Sequence, residues 1–330
     1  MNLLYTFDNN YVQHAIASMV SICRTNSWDK DLTFYALIDS LTEKNLHVLK
    51  SLADSYPCTV ITTEINGFMS SFIPGFDTKG WNEVIMARLL VNRFIPHDID
   101  RILYLDGDTI VRGSLKEIWE TDLEEYCVGA VVEPTVSKET KRRLGLENSL
   151  YFNSGVLLID LNRWREKQIE EKLLSLCAHN GNKLTAGDQD ALNMTLGGSF
   201  KVLSPTYNYA NSFYYYPYRI IAESEKPSEF ISEREFRSIQ TNPIIVHYLG
   251  EDRPWRRGNT HRFASDYWKN VELSPYAPYA TEEEGWELYF RAWRIFNTLV
   301  FPFPRIRLWI LRALIPLFLQ YRALKRSRNS

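Results

Sequence analysis

Two aspartates stand together at the end of an apolar run, in the stretch RILYLDGDTIV at residues 101–111. Residues i and i+2 of an extended chain point to the same side, so Asp106 and Asp108 can converge on one point. Two such carboxylates repel each other unless a positive charge lies between them, and a hard divalent cation is the natural occupant. The same stretch also fits a hairpin turn, because Asp-Gly between apolar runs is a turn signal.

Other known motifs compete for this stretch. Haloacid-dehalogenase-type phosphatases also place Asp-x-Asp after a strand, with one aspartate as nucleophile and its neighbour as acid or base. That motif usually continues with Gly-Thr, whereas Thr109-Ile110 follows here, far from the N-terminus. An EF-hand is excluded because its sixth position needs glycine and is Val111. The sequence also lacks the usual phosphate-loop, dinucleotide, serine-hydrolase and His-Glu-x-x-His zinc motifs.

The elements that must position the pair alternate between apolar strands and amphipathic helices. In chain order they are NLLYTF, YVQHAIASMVSICR, LTFYALI, LTEKNLHVLKSLADSY, CTVITTEI, NEVIMARLLVNRF and RILYL. This order predicts right-handed βαβ units and an α/β fold with a mostly parallel sheet flanked by helices. Ligands of such sheets bind at the carboxyl ends of strands, where residues 8–10 and 106–108 stand.

The second half of the chain is less regular. The segment YFNSGVLLIDLNRW, at residues 151–164, predicts a turn, a strand and the start of a helix with Asn162 as its N-cap. Residues 207–218 predict an aromatic loop. The later run PIIVHYLGEDRPW predicts a buried strand that delivers His247 to a glycine-containing loop.

Six segments in this order resemble the family 8 glycosyltransferases, retaining enzymes that include bacterial lipopolysaccharide galactosyl- and glucosyltransferases. The segments are TFDNNY, ARLL, LDGDTIVRGSL, YFNSGVLLIDLNRW, GDQDALN and HYLGEDRPW. The resemblance covers residues 1–265 and implies a GT-A fold, that is, a Rossmann-like domain that binds a nucleotide sugar. It also implies a UDP-hexose donor, with galactose or glucose as the hexose, and a saccharide or lipid-linked saccharide acceptor. The implied cofactor is Mn²⁺, with Mg²⁺ as the alternative.

Matching positions carry the family's metal and nucleotide roles. The metal ligands would be Asp106, Asp108 and His247, and an imidazole beside two carboxylates favours Mn²⁺ over Mg²⁺. Asp8 and Asn10 fall where the family reads uracil and ribose. The remaining implied donor contacts are Tyr11, Arg88, Gly107, Asn153, Gly250 and Arg253. The family commonly has lysine where this chain has Arg253, and a guanidinium can still clamp a phosphate with two hydrogen bonds.

The segment GDQDALN would supply the catalytic side chains. The resemblance places Asp188 against the donor's hydroxyl groups and Gln189 near the anomeric carbon, with Asp190 as the alternative carboxylate. An amide is a poor nucleophile, so we expect Gln189 to stabilise positive charge instead of forming a covalent intermediate. The shape of the pocket around Asp188 and the loop near Thr78 to Trp81 would select the hexose.

The end of the chain differs in composition. From Trp286 onward nine basic residues face one acid, so this tail carries +8 and the remaining chain −10. Its longest uncharged run near the end, ALIPLFLQY, is shorter than the ~20 apolar residues of a spanning helix. Bulky apolar residues interleaved with arginine instead favour an interfacial helix on an anionic membrane. We therefore expect residues 266–330 to form a helical membrane-associating region, with a helical hairpin packed on the protein, or an oligomer contact, as the alternative.

Two further features bear on location. The N-terminus lacks a basic segment followed by an apolar one, and the four cysteines form no Cys-x-x-Cys pair. Together with the tail they predict a cytoplasmic enzyme held on the inner face of the cell membrane, with no nucleic-acid partner. The alternatives are a phosphatase that uses Asp106 and Asp108, and a nucleotide-sugar-binding protein without turnover.

Overall fold

The computed structural model of the chain describes residues 1–65, 83–224 and 230–314. A seven-stranded sheet has the order β3-β2-β1-β4-β7-β6-β8, and β5 pairs with β9 in a separate two-stranded sheet. The strands are β1 Asn2–Asp8, β2 Leu32–Asp39, β3 Cys58–Glu64, β4 Arg101–Leu105, β5 Thr109–Val111, β6 Val128–Val132, β7 Phe152–Asp160, β8 Lys201–Val202 and β9 Ile245–His247.

Helices cover the sheet and connect its strands. In chain order they are α1 Val12–Thr25, α2 Glu43–Lys50, α3 Leu52–Ser55, α4 Val91–Phe94, α5 Lys116–Trp119, α6 Lys138–Arg143, α7 Leu161–Glu166, α8 Ile169–Asn180, α9 Gly187–Leu196, α10 Asn211–Tyr215, α11 Tyr218–Ser224, α12 Glu233–Ile239, α13 Ala264–Glu272 and α14 Glu287–Val300. A further helix runs from residue 304 to residue 314. The segment Glu83–Leu90 forms 3-10 turns instead of the regular helix that its sequence predicts.

The sheet is mixed, as the sequence predicts. Strands β1 to β4 are parallel to one another, and β7 runs antiparallel to both β4 and β6. The interior strand β1 is apolar almost throughout, because both faces of a sheet covered by helices are buried. The predicted α/β class is confirmed, and the carboxyl ends of β1 and β4 meet at one edge.

Local predictions after β6 needed correction. Asp160, not Asn162, caps α7, since its Oδ1 accepts a hydrogen bond from the Arg163 N–H at 2.8 Å. Asn162 lies within the helix. The predicted aromatic loop at residues 207–218 contains helix α10 and the start of α11, because its tyrosines and phenylalanine pack on the core.

The predicted domain boundary at residue 265 falls inside α13. This helix packs against α1, where the Tyr267 hydroxyl lies 2.8 Å from Gln13 Nε2 and 2.7 Å from His14 Nδ1. Arg24 of α1 also donates to Asn270 Oδ1 at 2.8 Å. Residues 266–272 therefore pack against the α/β domain, and we call the helices that begin with α14 the appendage.

The appendage is partly docked on the α/β domain. Arg307 is buried, with its guanidinium 4.2 Å from the ring centre of Tyr215. Arg305 pairs with Glu223 at 2.5 Å, and Arg312 Nε donates to the carbonyl oxygen of Thr135 at 3.2 Å. Three of the tail's arginines thus face protein. In the described part of the chain, every helix is too short or too polar to cross a bilayer.

Candidate active site

Asp106 lies where β4 ends, with one carboxylate oxygen already engaged. Its Oδ1 accepts hydrogen bonds from the Tyr104 hydroxyl at 2.5 Å and from Arg88 Nη2 at 2.8 Å. Its backbone N–H donates to the carbonyl oxygen of Gly155 at 2.8 Å, which joins the end of β4 to β7. These contacts fix the side chain and leave Oδ2 facing His247 Nε2 across the candidate site.

The pairing of β5 with β9 brings His247 to the two aspartates. Thr109 stands opposite His247 in the antiparallel register, and the Tyr248 N–H donates to the carbonyl oxygen of Asp108 at 3.0 Å. His247 Nε2 consequently lies 3.2 Å from Asp108 Oδ1 and 3.6 Å from Asp106 Oδ2. We call these three side chains the metal end of the cleft.

The metal end fits a divalent cation. One donor atom from each of its three side chains lies within 4.8 Å of the others. His247 is 1% exposed, and its Nε2 has no hydrogen-bond partner of suitable geometry among the described residues. A buried nitrogen without a partner costs free energy, and so do two carboxylates that face each other. One cation bound by two carboxylates and an imidazole removes both costs, and this donor set suits an ion such as Mn²⁺.

Arg88 joins the metal end to a second polar group. Its Nη2 contacts Asp106, and its Nε lies 3.2 Å from Asp188 Oδ2, with the guanidinium over the Tyr104 ring. Burial disfavours the charge of this 4% exposed side chain, but Asp106 and Asp188 more than offset that cost and raise the pKa of Arg88. Sequence analysis placed Arg88 near a donor, and the structure makes it the bridge between two carboxylates.

Residues 188–190 begin helix α9 and form what we call the helix end of the cleft. Asp188 Oδ2 accepts from the Ser154 hydroxyl at 3.0 Å, and burial raises the pKa of Asp188 although Arg88 acts in the opposite direction. Gln189 is held at both ends of its amide, since Oε1 accepts from the Ser154 N–H at 3.0 Å and Nε2 donates to the Tyr151 hydroxyl at 3.1 Å.

Asp190 does not share the cleft with these two residues. Its Oδ2 accepts hydrogen bonds from the backbone N–H groups of Thr185 and Ala186 at 2.7 and 2.9 Å, and its Oδ1 accepts from the Tyr151 hydroxyl at 2.6 Å. The side chain is 1% exposed. Both oxygens of Asp190, the carboxylate expected as the alternative at this position, thus hold the turn before α9.

Of the residues predicted to read the nucleotide, Tyr11 lies next to Arg253 near the metal end, and Asp8 and Asn10 precede it at the end of β1. Asp8 Oδ1 accepts from the Asn10 N–H at 3.0 Å and so caps the first turn after β1, while Asn10 is exposed. The ring of Tyr11 lies below Arg253, 5.4 Å from its guanidinium carbon. A side chain added at Gly107 would meet this ring at 3.4 Å, so Gly107 faces Tyr11 and α1.

Arg253 contributes positive charge next to Asp108. Its Nη2 lies 3.5 Å from Asp108 Oδ2, the oxygen turned away from His247. Gly250 makes the turn from β9 towards this arginine, with a φ of +70° that favours glycine. The Arg253 Nε atom is buried without a hydrogen-bond partner among the described residues. A guanidinium in this position can bind an anion that approaches the metal end.

An aromatic cluster supports the Arg253 loop from α1. His14 stacks on Trp255 with ring centres 3.7 Å apart, and its Nδ1 lies 2.7 Å from the Tyr267 hydroxyl. Burial, together with the charge of Arg253, lowers the pKa of His14 to about 3. The imidazole therefore stays neutral at physiological pH and acts as a flat apolar support.

Several residues that shape the site are not marked by any pattern in the sequence. Tyr104 and Ser154 hold the carboxylates, Asn208 holds His247, and Gly155 accepts a hydrogen bond from the Asp106 N–H. Ser154 and Gly155 lie inside the recognised segment at 151–164, but no residue pattern singled them out. Asn208 lies in the aromatic stretch, where nothing in the sequence marked it. The loop near Thr78 to Trp81, expected to select the hexose, lies outside the described residues.

Comparison with known proteins identifies the family. The model of glycosyl transferase family 8 matches residues 2–259. The chain belongs to this family. A lipopolysaccharide 1,2-glucosyltransferase of Escherichia coli is 31% identical over 282 residues, which are 83% of this chain and 79% of that protein. A lipopolysaccharide 1,3-galactosyltransferase of Salmonella typhimurium is 24% identical over 84% of this chain and 79% of that protein.

A solved structure confirms the fold. The galactosyltransferase LgtC, crystallised with donor and acceptor sugar analogues, superposes with a TM-score of 0.71 at 23% identity. The superposition covers 83% of this chain and 96% of LgtC, which confirms the expected GT-A fold. This family 8 chain is thus a hexosyltransferase related to the lipopolysaccharide glucosyl- and galactosyltransferases.

Proposed function

We propose that this family 8 enzyme transfers galactose or glucose from a UDP-hexose to a saccharide or glycolipid acceptor, with retention of configuration and with a divalent metal. The observation that carries the proposal is the convergence of Asp106, Asp108 and His247 at the carboxyl edge of the sheet, where Nε2 of His247 has no hydrogen-bond partner within the described part of the chain. Family membership and the relatives' acceptors support the choice of a lipopolysaccharide-type saccharide.

The leaving nucleotide is the main electrostatic problem of this reaction, because its departure builds negative charge. Asp106, Asp108 and His247 would hold Mn²⁺, or Mg²⁺ as the alternative, and a cation bound there neutralises part of that charge. Arg253 adds a second positive charge on the other side of Asp108. The rings of Tyr11 and Trp255 lie against its guanidinium group and hold it in position, so the charge is in place before the donor binds.

The helix end would hold the sugar. Asp188 would accept hydrogen bonds from donor hydroxyls, with its carboxylate fixed by Arg88 and Ser154. The amide of Gln189, fixed by Ser154 and Tyr151, would present a dipole near the anomeric carbon and stabilise positive charge there. The acceptor hydroxyl would attack on the face that the nucleotide leaves, and a phosphate oxygen of the leaving group would take its proton. Asn153 would also line the sugar subsite.

An activity panel tests the proposal against both alternatives. With Mn²⁺ present, we expect release of UDP from UDP-galactose or UDP-glucose. We expect no release of GDP from GDP-sugars. In Asp108→Ala, UDP release should fall by roughly two orders of magnitude or more. Asp98→Ala, at an exposed position, is the matched control and should keep wild-type turnover. Hydrolysis of simple phosphomonoesters instead would favour the phosphatase, and tight donor binding without turnover would favour a binding protein.

We also propose that the appendage binds the cytoplasmic face of the cell membrane. Phe301 is 84% exposed and Trp309 71% exposed, and Leu299 and Phe303 add to the same apolar surface. Beside it lies a groove of about 430 Å³ with Lys138 and Arg312 among its lining residues. Exposed rings and aliphatic side chains next to basic groups are the composition that an anionic interface attracts. The basic residues after position 314 lie outside the described residues.

Flotation with vesicles tests this attachment while the docked arginines are kept. Leu299→Ser, Phe301→Ser and Trp309→Ser in one variant should move the protein from vesicles of anionic phospholipid to the soluble fraction. A control variant with three exposed changes away from the appendage, Trp28→Ser, Ile61→Ser and Leu273→Ser, should float like the wild type. Equal flotation of both variants would contradict the proposed surface. UDP release in solution should be similar for all three proteins, because none of these side chains lines the cleft.

A further inference from the structure

Asn208 is buried directly behind His247. It follows the 3-10 turn Pro205–Tyr207 and is 1% exposed. The next residue, Tyr209, is paired with β9 on both sides, since its N–H donates to the Ile245 carbonyl oxygen at 2.9 Å and its carbonyl oxygen accepts from the His247 N–H at 3.1 Å. Backbone pairing therefore fixes the distance between Asn208 and the imidazole of His247.

A chain of hydrogen bonds fixes the orientation of each group between Gly155 and His247. The backbone N–H of Gly155 can only donate, so the Asn153 atom that it contacts at 2.9 Å must be the oxygen Oδ1. That oxygen can only accept, so the Asn208 atom 2.9 Å from it must be the NH₂ group. The other end of the Asn208 amide is then its oxygen, and it lies 2.8 Å from His247 Nδ1.

The tautomer of His247 follows from this chain. Because Asn208 Oδ1 can only accept, Nδ1 of the neutral ring must carry the hydrogen. The lone pair is then on Nε2, the atom that faces Asp106 and Asp108 and has no partner among the described residues. Without the acceptor behind the ring, the hydrogen could move to Nε2 and form a bond with Asp108, which would block a cation.

We propose that Asn208 is a positioning residue, which holds His247 in its metal-binding tautomer and orientation through the chain that begins at the Gly155 N–H. This inference rests on the proposed metal site. Groups that orient a ligating histidine in this way commonly change metal affinity by 10- to 100-fold. The hydrogen-bond chain starts at a backbone N–H, which is always a donor, whereas a side-chain amide can exchange its oxygen and nitrogen by rotation.

Gly155 also sets the room available to the ring. A side-chain carbon at this position would lie 2.7 Å from His247 Nδ1 and 2.8 Å from Asp106 Oδ2, closer than nonbonded atoms approach. The φ angle of Gly155 is not positive, so glycine is required here for space and not for its backbone conformation. One residue thus supplies the first donor of the chain, the carbonyl that binds the Asp106 N–H, and the space for the ligands.

Spectroscopy and metal titration of the full-length protein test the role of Asn208. In metal-free protein with ¹⁵N-labelled histidine, the His247 ring, assigned by its loss in His247→Gln, should show hydrogen on Nδ1. Asn208→Leu removes both hydrogen bonds and should raise the Mn²⁺ dissociation constant, measured by the electron paramagnetic resonance of free Mn²⁺, by about 10- to 100-fold. Asn208→Asp keeps an acceptor behind Nδ1 and should keep both the tautomer and most of the affinity.

Asn26→Leu is the matched control for a merely structural asparagine. Asn26 is also fully buried, and its Oδ1 accepts from the Leu115 N–H, but it lies at the far end of α1. We expect this variant to lose thermal stability and to bind Mn²⁺ as the wild type does. Wild-type protein with hydrogen on Nε2, or Asn208→Leu with wild-type Mn²⁺ affinity, would overturn the role of Asn208 alone. Failure of the wild type to bind Mn²⁺ would overturn the metal site itself. If Asn208→Leu does not fold, the wild-type tautomer and Asn208→Asp still decide the matter.

Discussion

The metal end and the helix end of the cleft differ in how their polar atoms are satisfied. At the helix end, the amide of Gln189 and the Oδ2 atom of Asp188 have partners in the protein. At the metal end, His247 Nε2 is buried without a hydrogen-bond partner among the residues that the structure describes, and two carboxylate oxygens face it. The helix end is a rigid surface that is complete by itself, whereas the metal end needs a cation to be complete. Arg88 is the side chain that joins them.

Removing Arg88 should have the largest effect on stability, because the metal end and the helix end then lose the side chain that joins them. Arg88→Met leaves Asp106 and Asp188 without their shared buried partner, and we expect the free energy of unfolding in urea to fall by about 3–5 kcal/mol. Arg142→Met is the control, because Arg142 is exposed and its ion pair with Glu147 is long, at 3.8 Å. This variant should change the free energy of unfolding by less than about 1 kcal/mol. Equal stability of Arg88→Met and the wild type would show that the bridge is not needed.

Two glycines sharpen the comparison at the metal end. Gly155→Ala should weaken Mn²⁺ binding by about 100-fold, since the new carbon would force His247 and Asp106 apart. Gly107→Ala should change Mn²⁺ binding only a few-fold, because its new carbon would make ordinary contacts with Tyr11 and Ala15 at 3.4 and 3.6 Å. The measurement is calorimetric titration with Mn²⁺. The reverse ranking of the two variants would contradict the geometry of the site.

Under the proposed function, Asp188 contacts the donor sugar, whereas Asp190 only stabilises the start of α9. Asp190→Asn should lower the free energy of unfolding by about 1–3 kcal/mol, because one oxygen that binds two backbone N–H groups is replaced or weakened. Its kcat, corrected for folded protein, should stay within a few-fold of wild type. Asp188→Asn should lower kcat by at least tenfold and change stability less. If kcat falls more in Asp190→Asn than in Asp188→Asn, the assignment of the two carboxylates is reversed.

At neutral pH the smallest expected effect is that of His14, which supports the Arg253 loop and makes stability depend on pH below about pH 6.5. Burial holds its folded-state pKa near 3, below the ordinary value of 6.5, so the unfolded chain takes up the proton first as the pH falls. The stabilisation from neutral His14 is therefore complete above about pH 6.5 and declines towards pH 3, by at most ~1.4 kcal/mol per pH unit. His14→Gln should remove this part of the slope in urea unfolding, and exposed His47→Gln should not. An unchanged slope in His14→Gln would contradict the buried neutral imidazole.

The sequence predicted the sheet well where periodicity decides structure. Strands β1 to β4 follow apolar runs, and the two polar segments after β1 and β4 meet because parallel strands end at the same edge. The cap of α7 and the helices at residues 211–224 were harder, because capping and short helices depend on packing as well as on residue type.

The site was predictable as a set of residues but not as an arrangement. His247 reaches Asp108 only through the pairing of β5 with β9, two three-residue strands whose partners are more than a hundred positions apart. Asp188 and Asp190 look alike in the sequence, yet one faces the cleft and the other faces the turn, because α9 rotates them apart. Asn208 acts through a hydrogen bond, and Gly155 acts through the space that its missing side chain leaves. Neither property produces a recognisable pattern in a single sequence.

The central claim is that Asp106, Asp108 and His247 share one divalent cation. Pulsed electron paramagnetic resonance of the Mn²⁺-loaded protein tests it most directly, because a coordinated imidazole gives a ¹⁴N coupling to the metal. We predict one bound Mn²⁺ with this coupling in the wild type, loss of the coupling in His247→Gln, and loss of binding when Asp106 and Asp108 are both changed to Ala. Binding of Mn²⁺ with the same coupling in His247→Gln, or undiminished binding without both aspartates, would contradict the claim.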